Sequence, residues 1–177
     1  MNEDKIRETC MTDPELGFRW LVEKFQSPMY WHIRRMVVSH EDAEDVLQET
    51  FIKIFRHLDD FREESSLSTW VYRITTNESI RFLNSRKEQT ISTEEVQADL
   101  MNKLMASEYV DYDNAMEVKF QKAILTLPEK QIIVFNLRYY DELKYEEISR
   151  ITDTKVETLQ ANNYFAKEKI KEYMTNN

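Results

Sequence analysis

Glycine occurs once in this 177-residue chain, proline three times and cysteine once. So few backbone breakers argue against a sheet protein with many tight turns, and against the glycine-rich loops that cradle nucleotide phosphates. The lone thiol, Cys10, has no partner for an intramolecular disulfide, and its simplest reading is a cytosolic chain. No apolar run approaches the roughly 20 residues of a membrane-spanning helix. The opening MNEDKIRETC has no apolar signal core. Neither membrane insertion nor a leader is therefore expected. The three histidines, His32, His40 and His57, fall in different predicted helices, which disfavours a zinc site. No nucleophile motif or phosphate-binding loop is present, so neither an enzyme nor a cofactor is expected.

Charge is abundant but uneven. The net charge is −9, of which residues 91–114 carry −5, residues 1–90 carry −4 and residues 115–177 carry none. DNA affinity is driven largely by Lys and Arg displacing counterions. A chain with this balance is not expected to grip DNA tightly alone, but it can do so beside a partner that supplies most of the affinity.

Hydrophobic periodicity predicts helices throughout. Asp13-Pro14 is a start signal, an Asp cap before a first-turn proline. Phe18, Leu21, Val22 and Phe25 follow as an apolar stripe, and Ser27-Pro28 reads as a second start. Ser39 is a predicted cap for the clearest helix, in which Ala43, Val46, Leu47, Phe51, Ile54, Phe55 and Leu58 recur at spacings of three and four. A fourth helix from about Ser66 carries Leu67, Trp70, Val71, Ile74 and Ile80. Trp70 falls on that stripe and reads as core, whereas Tyr72 is off it and is a candidate for base stacking. From Glu88 to Asn114 the pattern weakens and reads as a linker holding at most a short helix that orders on contact. After Ala115 periodicity returns. A short segment Tyr145–Arg150, a turn Ile151–Thr154 and a longer segment Val156–Tyr173 outline a helix-turn-helix, with Asp153 best suited to a left-handed turn position.

The acids Asp42, Asp45 and Glu49, with Gln48 beside them, sit off the apolar stripe of the third helix. Spacing alone leaves two readings, a solvated face favoured by the helix dipole or a docking surface for a basic partner. The order Asp42-Ala43-Glu44-Asp45-Val46-Leu47-Gln48-Glu49-Thr50-Phe51, then Phe61-Arg62-Glu63-Glu64-Ser65-Ser66, then Thr69-Trp70-Val71-Tyr72-Arg73-Ile74 with Asn77 a turn on, closely resembles the second conserved region of the extracytoplasmic-function (ECF) sigma factors of bacteria. Leu127-Pro128-Glu129-Lys130-Gln131, Leu137-Arg138 and Tyr145-Glu146-Glu147-Ile148 resemble their fourth region. Together these stretches span most of the chain.

The resemblance implies an all-α protein of two small helical domains. Residues 1–88 match the four-helix region 2 unit, residues 89–114 an acidic linker, and residues 115–177 the helix-turn-helix region 4 unit. It implies an alternative transcription initiation factor that binds core RNA polymerase, directs it to promoter DNA and melts the promoter by base capture. Asp42, Asp45, Gln48 and Glu49 match positions that grip the clamp helices of the largest polymerase subunit. Arg62, Glu64, Ser65, Ser66, Tyr72, Arg73 and Asn77 match the minus-ten reader. Arg138, Tyr145, Glu146, Thr158, Gln160, Ala161, Asn162 and Tyr164 match the minus-thirty-five reader. The resemblance also implies an anti-sigma partner. Glu63 stands where the family often has Gly, and the recognition helix has Gln and Asn where the family has cations. Such a helix still reads adenine through paired hydrogen bonds, so a specific but weak, A/T-biased upstream contact is expected. Two other readings remain, a stand-alone helix-turn-helix regulator and an adaptor that docks polymerase without reading DNA.

Overall fold

The computed structural model describes residues 1–61, 65–89, 93–105 and 113–176. It contains α1 (Glu3–Thr12), α2 (Pro14–Val37), α3 (His40–Arg56), a 3-10 turn (Leu58–Asp60), α4 (Leu67–Gln89), α5 (Thr93–Met105), α6 (Ala115–Leu125), α7 (Glu129–Tyr139), α8 (Tyr145–Thr152) and α9 (Val156–Asn176), with no strand among the described residues. The all-α expectation holds.

Two expected starts come out differently. A helix precedes Asp13: in α1 the Asn2 side chain accepts from the backbone N–H of Asp4 (2.7 Å) and of Lys5 (3.2 Å), and Ile6 is fully buried. Asp13 does cap α2, accepting from Leu16 N–H. That helix then runs through Pro28 without a second start. Pro28 is exposed while Phe25, Met29, Ile33 and Met36 are buried, so the N–H that proline lacks is missing on the solvent side and the apolar face continues unbroken.

Val38 turns α2 into α3. Its φ of 75° and ψ of −54°, with Ser39 N–H donating to Val37 C=O at 3.0 Å, make a three-residue turn that a β-branched side chain rarely adopts. Two restraints hold it there. The Arg34 Nε donates to Val38 C=O at 2.6 Å, and the Val38 side chain is fully buried against Leu100, Leu104 and Leu125. Ser39 caps α3 as expected, its Oγ accepting from Asp42 N–H. Ala43, Val46 and Ile54 form the buried face, and Thr50 sits among them because its hydroxyl bonds back to Val46 C=O. Phe55, expected in the stripe, is 48% exposed and rests its edge on Phe18.

Within the stretch read as a linker with at most a short, contact-ordered helix, α5 forms and buries Leu100 and Leu104. In the C-terminal part, α6, α7 and α9 enclose Ala123, Ile124, Leu127, Phe135, Ala166 and Ile170. Between α8 and α9, Asp153 adopts the left-handed conformation expected of it, φ 52° and ψ 43°. Ser149 Oγ braces that turn by donating to Thr154 C=O at 2.6 Å.

The two parts share a core. Ile33, Met36 and Val46 from α2 and α3 lie in one apolar cluster with Val134, Leu137 and Ile148 from α7 and α8. α4 runs alongside α8.

Candidate functional site

On α3 the three exposed residues Asp45, Gln48 and Glu49 point away from the buried Val46 and Thr50. Asp45 and Glu49 line a shallow recess of about 240 Å³ with Glu78, Arg81, Phe82 and Ser85 of α4. The helix spacing that exposes them follows from burying Ala43, Val46, Thr50 and Ile54 on the opposite side. Glu78 was not legible as part of this surface, because only the packing of α4 against α3 brings it there. Its carboxylate is held at 2.6 Å by Lys53 Nζ.

Asp42 stands apart from that group. Its Oδ2 is 2.6 Å from Lys103 Nζ of α5 and 3.0 Å from Arg86 Nη2 of α4. Burial pushes its carboxyl pKa up, but hydrogen bonds from Lys103 and Ser39 and the charges of Arg86 and Lys103 outweigh that and hold it below the ordinary aspartate range. A lowered folded-state pKa means the stabilisation is fully present above the ordinary aspartate pKa. It is lost as the pH falls through the lower folded value. Asp42→Asn is therefore expected to loosen α5 at neutral pH, seen as severalfold faster amide exchange across 93–105. Unchanged exchange would show that burial of Leu100 and Leu104 holds α5 without the ion pairs.

Of the expected minus-ten residues, Arg62 and Glu64 lie outside the described residues. Ser65 is partly buried. Ser66 is exposed and caps α4, its Oγ accepting from Thr69 N–H at 3.1 Å. Trp70 packs on Phe61, ring centroids 5.0 Å apart, as core. Tyr72, expected as a stacking surface, instead turns toward the C-terminal part. It lies edge-on to His32 and its hydroxyl donates to Asp141 Oδ1 at 3.2 Å. Burial pushes that hydroxyl's pKa up, and the Asp141 carboxylate adds to the shift. Arg73 donates through Nε to Arg150 C=O at 3.0 Å. Asn77 is exposed and opens into a cavity of about 200 Å³, whose far wall includes Lys130, Thr154, Thr158 and Asn162.

In the helix-turn-helix, Glu146, Thr158, Gln160, Ala161 and Tyr164 are exposed and Asn162 is partly so. This outward set arises because Leu159, Asn163, Ala166 and Ile170 form the inner face of α9. Arg138 is half-buried: its guanidinium lies 4.5 Å over the Tyr145 ring, and Nη1 donates to Leu143 C=O. The Tyr145 hydroxyl in turn accepts from Asn163 Nδ2 at 2.9 Å. Both side chains brace the α7–α8 corner. The structure thus groups the α3 residues on one face and the α9 residues on another. It also turns the α4 residues toward α8 and α9.

Two family models match the chain, sigma-70 region 2 over residues 21–89 and sigma-70 region 4 over residues 117–170. Among curated proteins, the ECF RNA polymerase sigma-E factor of Haemophilus influenzae is 28% identical over 178 residues, covering 96% of this chain and 94% of that protein. The Escherichia coli K12 sigma-E factor is 29% identical, with 96% and 93% coverage. Among solved structures, CnrH in complex with the cytosolic domain of CnrY superposes with a TM-score of 0.71 at 15% identity, over 98% of this chain and 97% of that one. The sigma factor RpoE from Bartonella quintana, in complex with the anti-sigma factor NepR, superposes with a TM-score of 0.68 at 19% identity, over 90% and 98%.

Proposed function

The chain belongs to the ECF group of the sigma-70 family, and from that footing we propose how its surfaces divide the work of an initiation factor. As a member of the group it is a non-enzymatic, alternative sigma factor that binds core RNA polymerase and directs it to promoters. In the proposed scheme residues 1–88 dock polymerase and read the minus-ten element, residues 89–114 link, and residues 115–177 read the minus-thirty-five element.

Asp45, Gln48 and Glu49 dock on the largest subunit's clamp helices, with Asp42 joining them once α5 lets it go. Carboxylates on an exposed helix face suit charge-assisted bonds to Arg and Lys. The loop around Arg62, Glu64, Ser65 and Ser66 and the α4 face of Tyr72, Arg73 and Asn77 capture a flipped base and its phosphate. Flipping costs a few kcal/mol, so the pocket must both pack the base and bond its edge. Thr158, Gln160, Ala161, Asn162 and Tyr164 enter the major groove, while Glu146 lies at its rim and Arg138 and Tyr145 hold the helix pair in register. This upstream contact is specific and weak. The family placement and the absence of any described helix long and apolar enough to cross a membrane support a cytoplasmic location.

An anti-sigma partner belongs to the proposal because of the partner-bound RpoE structure. The apolar recess of about 350 Å³ bounded by Leu83, Leu100, Leu125, Leu127 and Ile132 is a surface such a partner would cover.

The observation that carries this reading is the pairing of an exposed acidic α3 face with an outward polar face on α9. The test is co-purification with bacterial core polymerase followed by run-off transcription on genomic fragments. Discrete new start sites support it. Binding without transcripts moves the assignment to a docking adaptor, and no binding by a folded sample moves it to a stand-alone DNA-binding regulator. Within the scheme, Asn77→Ala is expected to leave polymerase affinity unchanged and to lower promoter opening, followed by permanganate footprinting, by about tenfold, the factor carried by about 1.4 kcal/mol. Unchanged opening removes Asn77 from the pocket.

A further inference from the structure

Phe165 on α9 is 53% exposed, and its ring meets the edge of Tyr164, centroids 5.7 Å apart at 72°. It takes no part in the inner face of that helix, which Leu159, Asn163, Ala166 and Ile170 make. One exposed phenyl on a surface is ordinary. What sets this one apart is its alignment. At about 100° per residue, Thr158, Ala161 and Phe165 fall within about 60° of one another on the outer side of α9. All three are exposed. Gln160 and Tyr164 flank this line on one side and Asn162 on the other.

The line has a chemical match in duplex DNA. An alanine methyl, a threonine methyl and a phenyl ring are groups that pack against the 5-methyl of thymine, the apolar feature of the major-groove edge. Adenine, the partner base, offers the N6 and N7 edge that Gln and Asn bond. The central line and the flanking amides therefore suit the two halves of an A·T pair. From Val156 to Ala166 the helix carries no Lys or Arg, so phosphate attraction supplies little of its hold and base contacts carry more of it.

We infer that Phe165 is a specificity-determining residue, which completes with Thr158 and Ala161 an apolar line set against thymine methyls of the upstream promoter element. The inference deepens the proposed function and rests on its placing of α9 in the major groove. Thr158 and Phe165 are seven residues apart, about 10 Å along the helix at about 1.5 Å per residue. With base pairs about 3.4 Å apart, the line covers about three consecutive steps. It selects an upstream element with a short A/T run that presents thymine methyls to α9.

The test uses holoenzyme assembled from the full chain and core polymerase, on a synthetic promoter whose upstream element comes from run-off transcription. Uracil replaces thymine in that element, which removes the methyl and keeps the pairing. Wild-type holoenzyme should bind the uracil fragment about fourfold more weakly for each methyl covered, the worth of one buried CH2 group. In Phe165→Ala the penalty should shrink severalfold, a coupling that altered DNA stiffness alone would leave untouched. Phe165→Leu, which keeps an apolar contact, should keep most of it. Equal binding of the two fragments by wild type, an undiminished penalty in Phe165→Ala, or an upstream element without thymine each overturns the inference. Weaker binding of Phe165→Ala to core polymerase without DNA also overturns it, by assigning the ring to a protein contact. If circular dichroism shows that Phe165→Ala loses helix, Phe165→Gln takes its place with the same outcomes. A wild-type chain that forms no holoenzyme sinks the proposed function and the inference with it, whereas a missing penalty on an active promoter sinks the inference alone.

Discussion

Reversing two charges on α3, Asp45→Lys with Glu49→Lys, is expected to weaken core polymerase binding by at least about a hundredfold while leaving the helical content of the chain intact. Both side chains are exposed, and among the described residues neither is in an ion pair, so nothing internal depends on them. Lys has a helix propensity close to that of Glu, and substitutions at such positions usually stay within about 0.5 kcal/mol. Some loss at Asp45 comes from the helix dipole, which favours acids in the first turns. Against a basic partner the effect is much larger. Truncating one member of a desolvated interfacial charge pair costs about 2–5 kcal/mol, and reversal adds like-charge repulsion. A hundredfold loss corresponds to about 2.7 kcal/mol, the lower part of that range. Anisotropy titration with labelled chain, beside circular dichroism, checks both halves. Retained binding would remove α3 from the interface, and lost helix would show that the acids are structural.

Gly17→Ala is expected to have the largest effect on stability of any single-methyl change. Gly17 is the one glycine of the chain and lies buried in α2 where α1 crosses it. A Cβ there would come within 2.4 Å of the Cys10 backbone nitrogen, 2.5 Å of its Cα and 2.7 Å of its Sγ. The first two are backbone atoms, so no rotamer change relieves the clash and α1 must move as a body. Overpacking of this kind costs about 1–3 kcal/mol. The ceiling is set by letting α1 detach, which exposes Ile6 and breaks the bonds from Ser68 to Glu3. Burying an isoleucine is worth about 1.5–3 kcal/mol, similar in size. Denaturant unfolding should show the loss, and faster amide exchange confined to residues 3–12 would identify detachment. Unchanged stability would mean that the helices are not in contact at Gly17.

Much of the architecture was legible because it depends on local chemistry. The caps at Asp13 and Ser39, the buried face of α3 and the left-handed Asp153 all follow from residue type and period, which act within one or two turns of helix. The expected break at Pro28 failed because a proline on the solvent side costs a bond without interrupting a buried face. The helix before Asp13 was missed because Ile6 alone marks its apolar side, and burial under α2 supplies what periodicity does not show. The linker helix α5 was legible only as a short helix ordering on contact, since Leu100 and Leu104 need Val38 and Leu125 to pack against.

For the site, the sequence by itself determined which residues carry charge and which hydrogen-bonding groups sit on the outer faces of α3 and α9. A helix that buries one face must expose the other. It also determined the order of the two family regions. Only the tertiary structure decided that Asp42 is held by Arg86 and Lys103, that Glu78 joins the α3 recess, and that Tyr72 and Arg73 meet Asp141 and Arg150. Those partners lie from roughly thirty to more than seventy residues away along the chain. Nothing in a helical period encodes a contact at that separation. It is set by how two apolar faces, each specified locally, find one another.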